Sequence, residues 1–380
     1  MFEIFPDNYV WNLSVNIAIS SGGHITEIEE ACREVMEASR DGDDNGTEAF
    51  FDAWCRVADR LVGQAEADEA AGHPFSAAHK LRRAAVYYMI CERMQSRHYA
   101  PRAVAYEKML SSFSKYVELG EENCERVEIP FEGTTIPALL TRARGVDGPA
   151  PTMIFLNGLD SVKEMIFTSG APTEFARRGI STLALDQPGV GEPLRLQGLH
   201  GMHDSERYVS ACVDYLETLA EVDNARIGVI GWSLGGYYAP RAAAFEKRLA
   251  LCVAWGANYN WGQLQERRMA REGDRPVPHY WDHVMWVFGQ DTLDEFMAWA
   301  PAMSLEGVTE QITVPFLTTH GSNDRQIPRE YAELQYETAV NSPKRELKWF
   351  TGDIGGVEHC SADNMQPAMD YIADWIADTI

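Results

Sequence analysis

Ala225-Arg226-Ile227-Gly228-Val229-Ile230-Gly231-Trp232-Ser233-Leu234-Gly235-Gly236-Tyr237-Tyr238 decides the reading of this chain. A short β-rich run (Ile227, Val229, Ile230) feeds directly into Gly231-Trp232-Ser233-Leu234-Gly235, and a helix-compatible segment follows. Strand, sharp turn and helix around G-x-S-x-G is the context that a nucleophile elbow requires. The turn strains the serine backbone, and a Cβ on either flanking glycine would collide with the adjoining strand or helix. It also aims the Leu234 N–H and the positive end of the new helix at the reacting centre.

Outward from the elbow, strand and helix candidates alternate. Upstream lie a continuous apolar run at Thr152–Leu156, a helix at Ala171–Arg178, a strand at Ser181–Asp186 and a helix at Ser205–Glu221. Downstream lie a strand at Ala250–Trp255, a strand at Val314–His320, a helix at Arg329–Val340, a strand at Glu346–Phe350 and a terminal helix at Met365–Ile380. Short loops between alternating elements predict an α/β fold with a doubly wound, mostly parallel sheet. Ligands then collect at the carboxyl edge of the strands. Val127, Ile129 and Phe131, then Gly133, then Ile136, Ala138 and Leu140, read as a hairpin at one sheet edge.

Residues 1–120 carry no strand alternation and read as a helical N-terminal domain, with helices over Ile25–Arg40, Thr47–Glu69, Ser76–Met94 and Ala100–Tyr116. No repeat period links them. The core is expected over 121–257 and 312–380, interrupted by 258–311, an aromatic-rich insertion placed where a lid would overhang the site. Trp232, Tyr259, Trp281 and Trp286 are the candidate substrate contacts, since such rings suit a flat, apolar small molecule.

Thirty-three Lys and Arg against 57 Asp and Glu leave a net charge of −24, which argues against nucleic acid or an anionic membrane as partner. No run of roughly 20 apolar residues predicts a membrane span, and the N-terminus lacks the basic and apolar regions of a secretory signal. Seven cysteines without metal-ligand spacing read as reduced thiols, so a cytoplasmic protein is expected.

A serine hydroxyl needs a base, and the base an orienting carboxylate, supplied in this sheet order as serine, acid, histidine. Asp324 follows the Val314–His320 strand, and His359 follows the last strand as the only histidine after Asp324. The second oxyanion donor belongs to the loop after Thr152–Leu156, where Leu159 is preferred and Gly158 is the fallback. Asp160 and Glu164 are unusual acids so near that loop: each fits a helix cap or an auxiliary acid beside the triad.

From about Cys124 onward the chain resembles the α/β-hydrolase family. More narrowly, the long helical N-terminus, Gly158-Leu159-Asp160-Ser161-x-Lys163-Glu164, Asp186-Gln187-Pro188-Gly189-x-Gly191-Glu192 and Gly231-x-Ser233-Leu234-Gly235-Gly236 resemble one subgroup. That subgroup holds bacterial 2,6-dihydroxypseudooxynicotine hydrolase and the fungal pigment hydrolases that shorten polyketides. The resemblance implies Ser/Asp/His cleavage of a carbon–carbon bond next to a ketone, a homodimer, and N-terminal helices helping to cover the site. It also implies an assisting glutamate in the oxyanion-loop region, where Glu164 matches best and Asp160 is the alternative. Asn157 departs from the pattern, standing where a second glycine is expected.

Subgroup members also include ester and lactone hydrolases and acyl-transfer variants, so those reactions are the alternatives on the same triad. A non-catalytic ligand-binding protein is the distant one. No cofactor is implied, because Asp186–Gly191 is not a dinucleotide fingerprint. His200 with His203, and His279 with His283, lack the carboxylates of a metal site.

Overall fold

A computed structural model describes residues 1–380. The chain divides into two compact units, Met1–Cys124 with Arg275–His283, and Glu125–Asp274 with Val284–Ile380. The first unit is helical: α1 (Tyr9–Ser20), α2 (Ile25–Arg33), α3 (Thr47–Ala70), α4 (Pro74–Arg93) and α5 (Pro101–Leu119). Phe50, Trp54, Val57, Leu61 and Ala65 recur at helical spacing along α3 and are buried. Ring contacts run from Phe5 through Trp11, Phe50 and Trp54 to Tyr87, with centroids 5.0–5.6 Å apart. Such pairs add about 1 kcal/mol each beyond their buried area.

Helix α1 is buried on most of its surface, and its asparagines do structural work. Asn8 caps it by accepting the Trp11 N–H, and Asn12 Oδ1 accepts the N–H groups of Ile4 and Phe5 at 2.9 Å each. Part of the expected insertion belongs to this unit. Arg93 donates to the Pro276 carbonyl at 3.0 Å, the His279 N–H to Asp44 at 2.7 Å, and Ser96 to Asp282 at 2.9 Å.

The second unit is built on eight strands: β1 (Glu125–Phe131), β2 (Thr134–Thr141), β3 (Ala150–Leu156), β4 (Ser181–Leu185), β5 (Val222–Trp232), β6 (Cys252–Trp255), β7 (Phe316–Gly321) and β8 (Arg345–Phe350). Their order in the sheet is β1-β2-β4-β3-β5-β6-β7-β8. β2 pairs antiparallel with β1 and with β4, and the other neighbours are parallel. Every residue of β3 and β4 is buried, as continuous apolar runs in a covered parallel sheet require.

The connecting helices are α6 (Lys163–Thr168), α7 (Ala171–Arg177), α8 (Gly191–Leu196), α9 (Glu206–Leu216), α10 (Gly235–Phe245), α11 (Trp261–Met269), α12 (Tyr280–Phe288), α13 (Leu293–Trp299), α14 (Arg329–Thr338) and α15 (Gln366–Ala377). None of the helices is long and apolar enough to cross a membrane. From β3 the chain first builds outward to β4 and then returns to place β5 on the opposite side of β3. The strand order therefore reverses between β3 and β5, and a crevice opens at their carboxyl ends. The loop after β3 and the turn after β5 meet there.

Candidate active site

Ser233 follows the last residue of β5 and has φ 56°, the left-handed region. A non-glycine residue held there costs roughly 1–3 kcal/mol unless its surroundings fix it. They do. The Ser233 N–H donates to the Trp255 carbonyl at 2.9 Å, and the Ser233 carbonyl accepts from the Gly236 N–H at 2.9 Å and from Asn258 Nδ2 at 3.0 Å. The glycines are required by contact: a Cβ on Gly231 would lie 2.2 Å from the Gly235 carbonyl oxygen, and one on Gly236 only 1.8 Å from that of Gly256.

His359 reaches the serine from the loop after β8. Its Nε2 lies 2.8 Å from Ser233 Oγ, and its Nδ1 lies 2.8 Å from Asp324 Oδ2. The other Asp324 oxygen accepts the Gln326 and Ile327 N–H groups at 2.8 and 3.0 Å, so one carboxylate both closes its own turn and orients the imidazole. The two loops are tied together as the Asn323 N–H donates to the Val357 carbonyl and Asn323 Nδ2 to Glu358 Oε1, each at 2.8 Å. Burial works to raise the Asp324 carboxyl, but the charge and hydrogen bond of His359 outweigh it and hold the group at about 2. Burial likewise works against the His359 cation, and the Asp324 charge overcomes it, so the imidazole sits well above its ordinary value. A second imidazole, His320, is buried 3.8 Å from Asp324 Oδ2; burial lowers it, and its Nε2 faces the Ile327 carbonyl at 3.3 Å.

Cys360 was not singled out by the sequence. Its backbone is left-handed (φ 49°), and Sγ accepts the Ser233 N–H at 3.1 Å, meets the Trp255 carbonyl at 3.3 Å and lies 3.6 Å from His359 Nε2. Adjacency to His359 was the only signal for it.

On the opposite side, the loop after β3 approaches Ser233 so closely that a Cβ on Gly158 would lie 2.9 Å from Ser233 Cβ and 3.2 Å from its Oγ. The Gly158 N–H, the fallback oxyanion donor, is already engaged, donating to Ser161 Oγ at 2.8 Å. Gly158 thus brings the loop close to Ser233 while its N–H bonds within the loop. Leu159 is buried in the same loop, and Leu234 stands at the start of α10. Asp160 is half-buried.

Glu164 is buried on α6, with Oε1 2.7 Å from Lys163 Nζ and Oε2 without any partner. Burial pushes its carboxyl up, Lys163 pulls it down and Asp186 raises it again, leaving it at about 7. Lys163, quoted in the Gly158–Glu164 motif without a role, is fully buried and also reaches Asp186 Oδ2 at 3.0 Å and Glu192 Oε1 at 2.6 Å. The ionic partner the structure gives Glu164 is thus Lys163.

The proposed substrate aromatics divide. Trp232 is buried, its indole N–H donates to Ser161 Oγ at 3.0 Å and its ring packs on Phe155 and Trp255, so its polar and apolar parts are both used internally. The Tyr259 hydroxyl is likewise taken, by Thr338 and Thr309. Both rings are buried, with their polar atoms bonded inside the protein. Trp281 falls in the helical unit beside Tyr280 and Arg275. Trp286 lies under the Arg195 guanidinium, and its carbonyl accepts from His200 Nδ1 at 2.9 Å.

Known proteins share this architecture. Residues 153–366 match the model of the alpha/beta hydrolase family. The 2,6-dihydropseudooxynicotine hydrolase of Paenarthrobacter nicotinovorans is 30% identical over 87% of this chain and 84% of its own. The hydrolase acrC of Aspergillus aculeatus is 27% identical over 94% of this chain and 92% of its own. A crystal structure of 2,6-dihydroxy-pseudo-oxynicotine hydrolase superposes with a TM-score of 0.77 at 27% identity, covering 96% of this chain and 95% of that one. With a serine elbow at the switch point of the sheet and hydrolases as full-length relatives, the chain belongs to the alpha/beta hydrolase family and is an enzyme of that family.

Proposed function

We propose that this enzyme is a serine hydrolase that cleaves a carbon–carbon bond next to a ketone in an aromatic or polyketide-like small molecule. The carrying observation is the continuous chain from Asp324 through His359 to Ser233, with both contacts at 2.8 Å. The substrate class is supported by the 30% identical relative, whose name gives 2,6-dihydropseudooxynicotine as what it acts on.

His359 Nε2 takes the Ser233 proton as Oγ attacks the carbonyl carbon, and the oxyanion forms against the N–H groups proposed for it, those of Leu234 and Leu159. As the carbonyl re-forms, the carbon–carbon bond breaks and its electron pair leaves on carbon. An adjacent carbonyl or electron-rich ring delocalises that pair, and the His359 proton completes the leaving group. Water, deprotonated by the same imidazole, then releases the acyl group from Ser233. The seven free thiols support a reducing, cytoplasmic setting.

Product mass decides the reaction. Incubated with an aryl β-diketone and with the matching aryl ester, the enzyme is expected to yield the acid and methyl ketone from the first; cleavage of the ester alone would replace the carbon–carbon reading with the ester one. The pH profile follows from His359. The base works only when neutral, so activity falls as pH drops through its pKa. Because Asp324 raises that pKa, the acid limb of kcat/KM is expected above the ordinary imidazole value of about 6.5. Asp324→Asn is expected to move the limb down and to lower kcat by about 10⁴-fold.

A further inference from the structure

Between β3 and the elbow lies one hydroxyl with three buried partners. Ser161 Oγ accepts the Gly158 N–H at 2.8 Å and the Trp232 indole N–H at 3.0 Å, and donates to Asn157 Oδ1 at 2.7 Å. A serine hydroxyl has one donor and two acceptor positions, so all its capacity is used. The partners are not equivalent. Gly158 is the residue on which a Cβ would meet Ser233, Trp232 immediately precedes Ser233 at the end of β5, and Asn157 begins the loop.

The start of the loop is also held from the side of β4. The Asn157 N–H donates to Gln187 Oε1 at 3.0 Å, Gln187 Nε2 returns a bond to the Asn157 carbonyl at 2.9 Å, and Asn157 Nδ2 donates to the Leu185 carbonyl at 2.7 Å. Asn157, the residue that departs from the expected glycine, is therefore a clamp onto the end of β4. Without the Ser161 hydroxyl, the loop keeps its anchor at Asn157 and loses the bond from the Trp232 indole.

We propose that Ser161 is a positioning residue for catalysis: it locks the Gly158–Leu159 segment to Trp232 and so sets the oxyanion site relative to Ser233 Oγ. This rests on the reading of Ser233 as nucleophile. Oxyanion stabilisation depends on donors held in place before charge develops, and a shift of a few tenths of an ångström weakens it in the transition state more than in the ground state. The signature is thus a loss in kcat with little change in KM, which a general packing role does not produce.

The test compares Ser161→Ala with wild type on an aryl ester and with an aryl trifluoromethyl ketone, which adds Ser233 Oγ to its carbonyl and leaves an oxyanion. The expected result is a fall in kcat of about 100-fold, KM unchanged, and trifluoromethyl ketone affinity falling in parallel with kcat/KM. Affinity for the corresponding methyl ketone should stay constant, and Ser161→Thr, which keeps the hydroxyl, should recover most of the rate. Wild-type kcat in Ser161→Ala, or unchanged trifluoromethyl ketone affinity alongside a lowered kcat, overturns the proposal. If Ser161→Ala does not fold, Trp232→Phe removes one of the three bonds and keeps a ring; about 10-fold loss in the same two readouts is expected, and none overturns it. A Ser233→Ala enzyme that still turns over sinks the nucleophile reading; an inactive Ser233→Ala beside a normal Ser161→Ala sinks this inference alone.

Discussion

Ser233→Ala is expected to lower kcat by about 10⁴-fold or more and to abolish covalent labelling by a fluorophosphonate. The fold should survive. Alanine tolerates φ 56° no worse than serine, and the Oγ to His359 bond is the single side-chain interaction lost, worth about 1 kcal/mol. Melting temperature should therefore move by only a few degrees, and a collapsed fold would void the comparison. The background rate needs care, because Cys360 Sγ lies 3.6 Å from the same imidazole nitrogen. Ser233→Ala with Cys360→Ala removes both hydroxyl and thiol and gives the floor against which the single variant is read. Wild-type turnover in the single variant would remove Ser233 from the mechanism.

That Ser233, Asp324 and His359 meet is legible because each stands in a loop that follows a strand, and chain order leaves one histidine after Asp324. The central strands β3 and β6 were legible because full burial in a parallel sheet demands apolar runs. Helix α1 was not. Its buried face is nearly the whole helix, Asn12 and Asn16 included, so no amphipathic stripe marks it. The bonding of aromatic side chains is hidden for a related reason. A tryptophan in sequence advertises surface area but not where its N–H goes, and the Trp232 indole goes to Ser161. Ser161 itself left no periodic trace, since its partners are a loop N–H, an indole and an amide brought together only by the fold. Lys163 stands in the quoted motif, but no role for it can be read there, because three carboxylates converge on it only once β4 and α8 are in place.

That convergence makes the loss of Lys163 costly for stability. Lys163→Met keeps much of the stem's volume and deletes the ammonium, leaving Glu164, Asp186 and Glu192 around an uncompensated site. Arg126, half-exposed and paired with Glu192, is then the one remaining cation in the cluster. Removing one partner from a buried ionic group costs about 3–5 kcal/mol, and a melting-temperature loss on the order of 10 °C should follow. The loss should depend on pH in a defined direction. In wild type the Glu164 pKa is raised to about 7, so folded protein holds that proton where unfolded chain has released it. Stability from this group is full below the unfolded value of about 4.3 and falls as pH rises toward 7. With Glu164 protonated, Lys163 and Arg126 balance Asp186 and Glu192; each proton lost beyond that adds a charge with no partner. Deleting Lys163 removes the attraction that pulls the Glu164 pKa down, so the pKa rises further and the alkaline decline deepens. Thermal melts of Lys163→Met at pH 5.5 and pH 8 should thus show the larger deficit at pH 8, and Glu164→Gln in the same background should recover part of it. A deficit equal at both pH values would mean that Glu164 does not titrate in the folded protein and that the cluster is held by shape instead of charge.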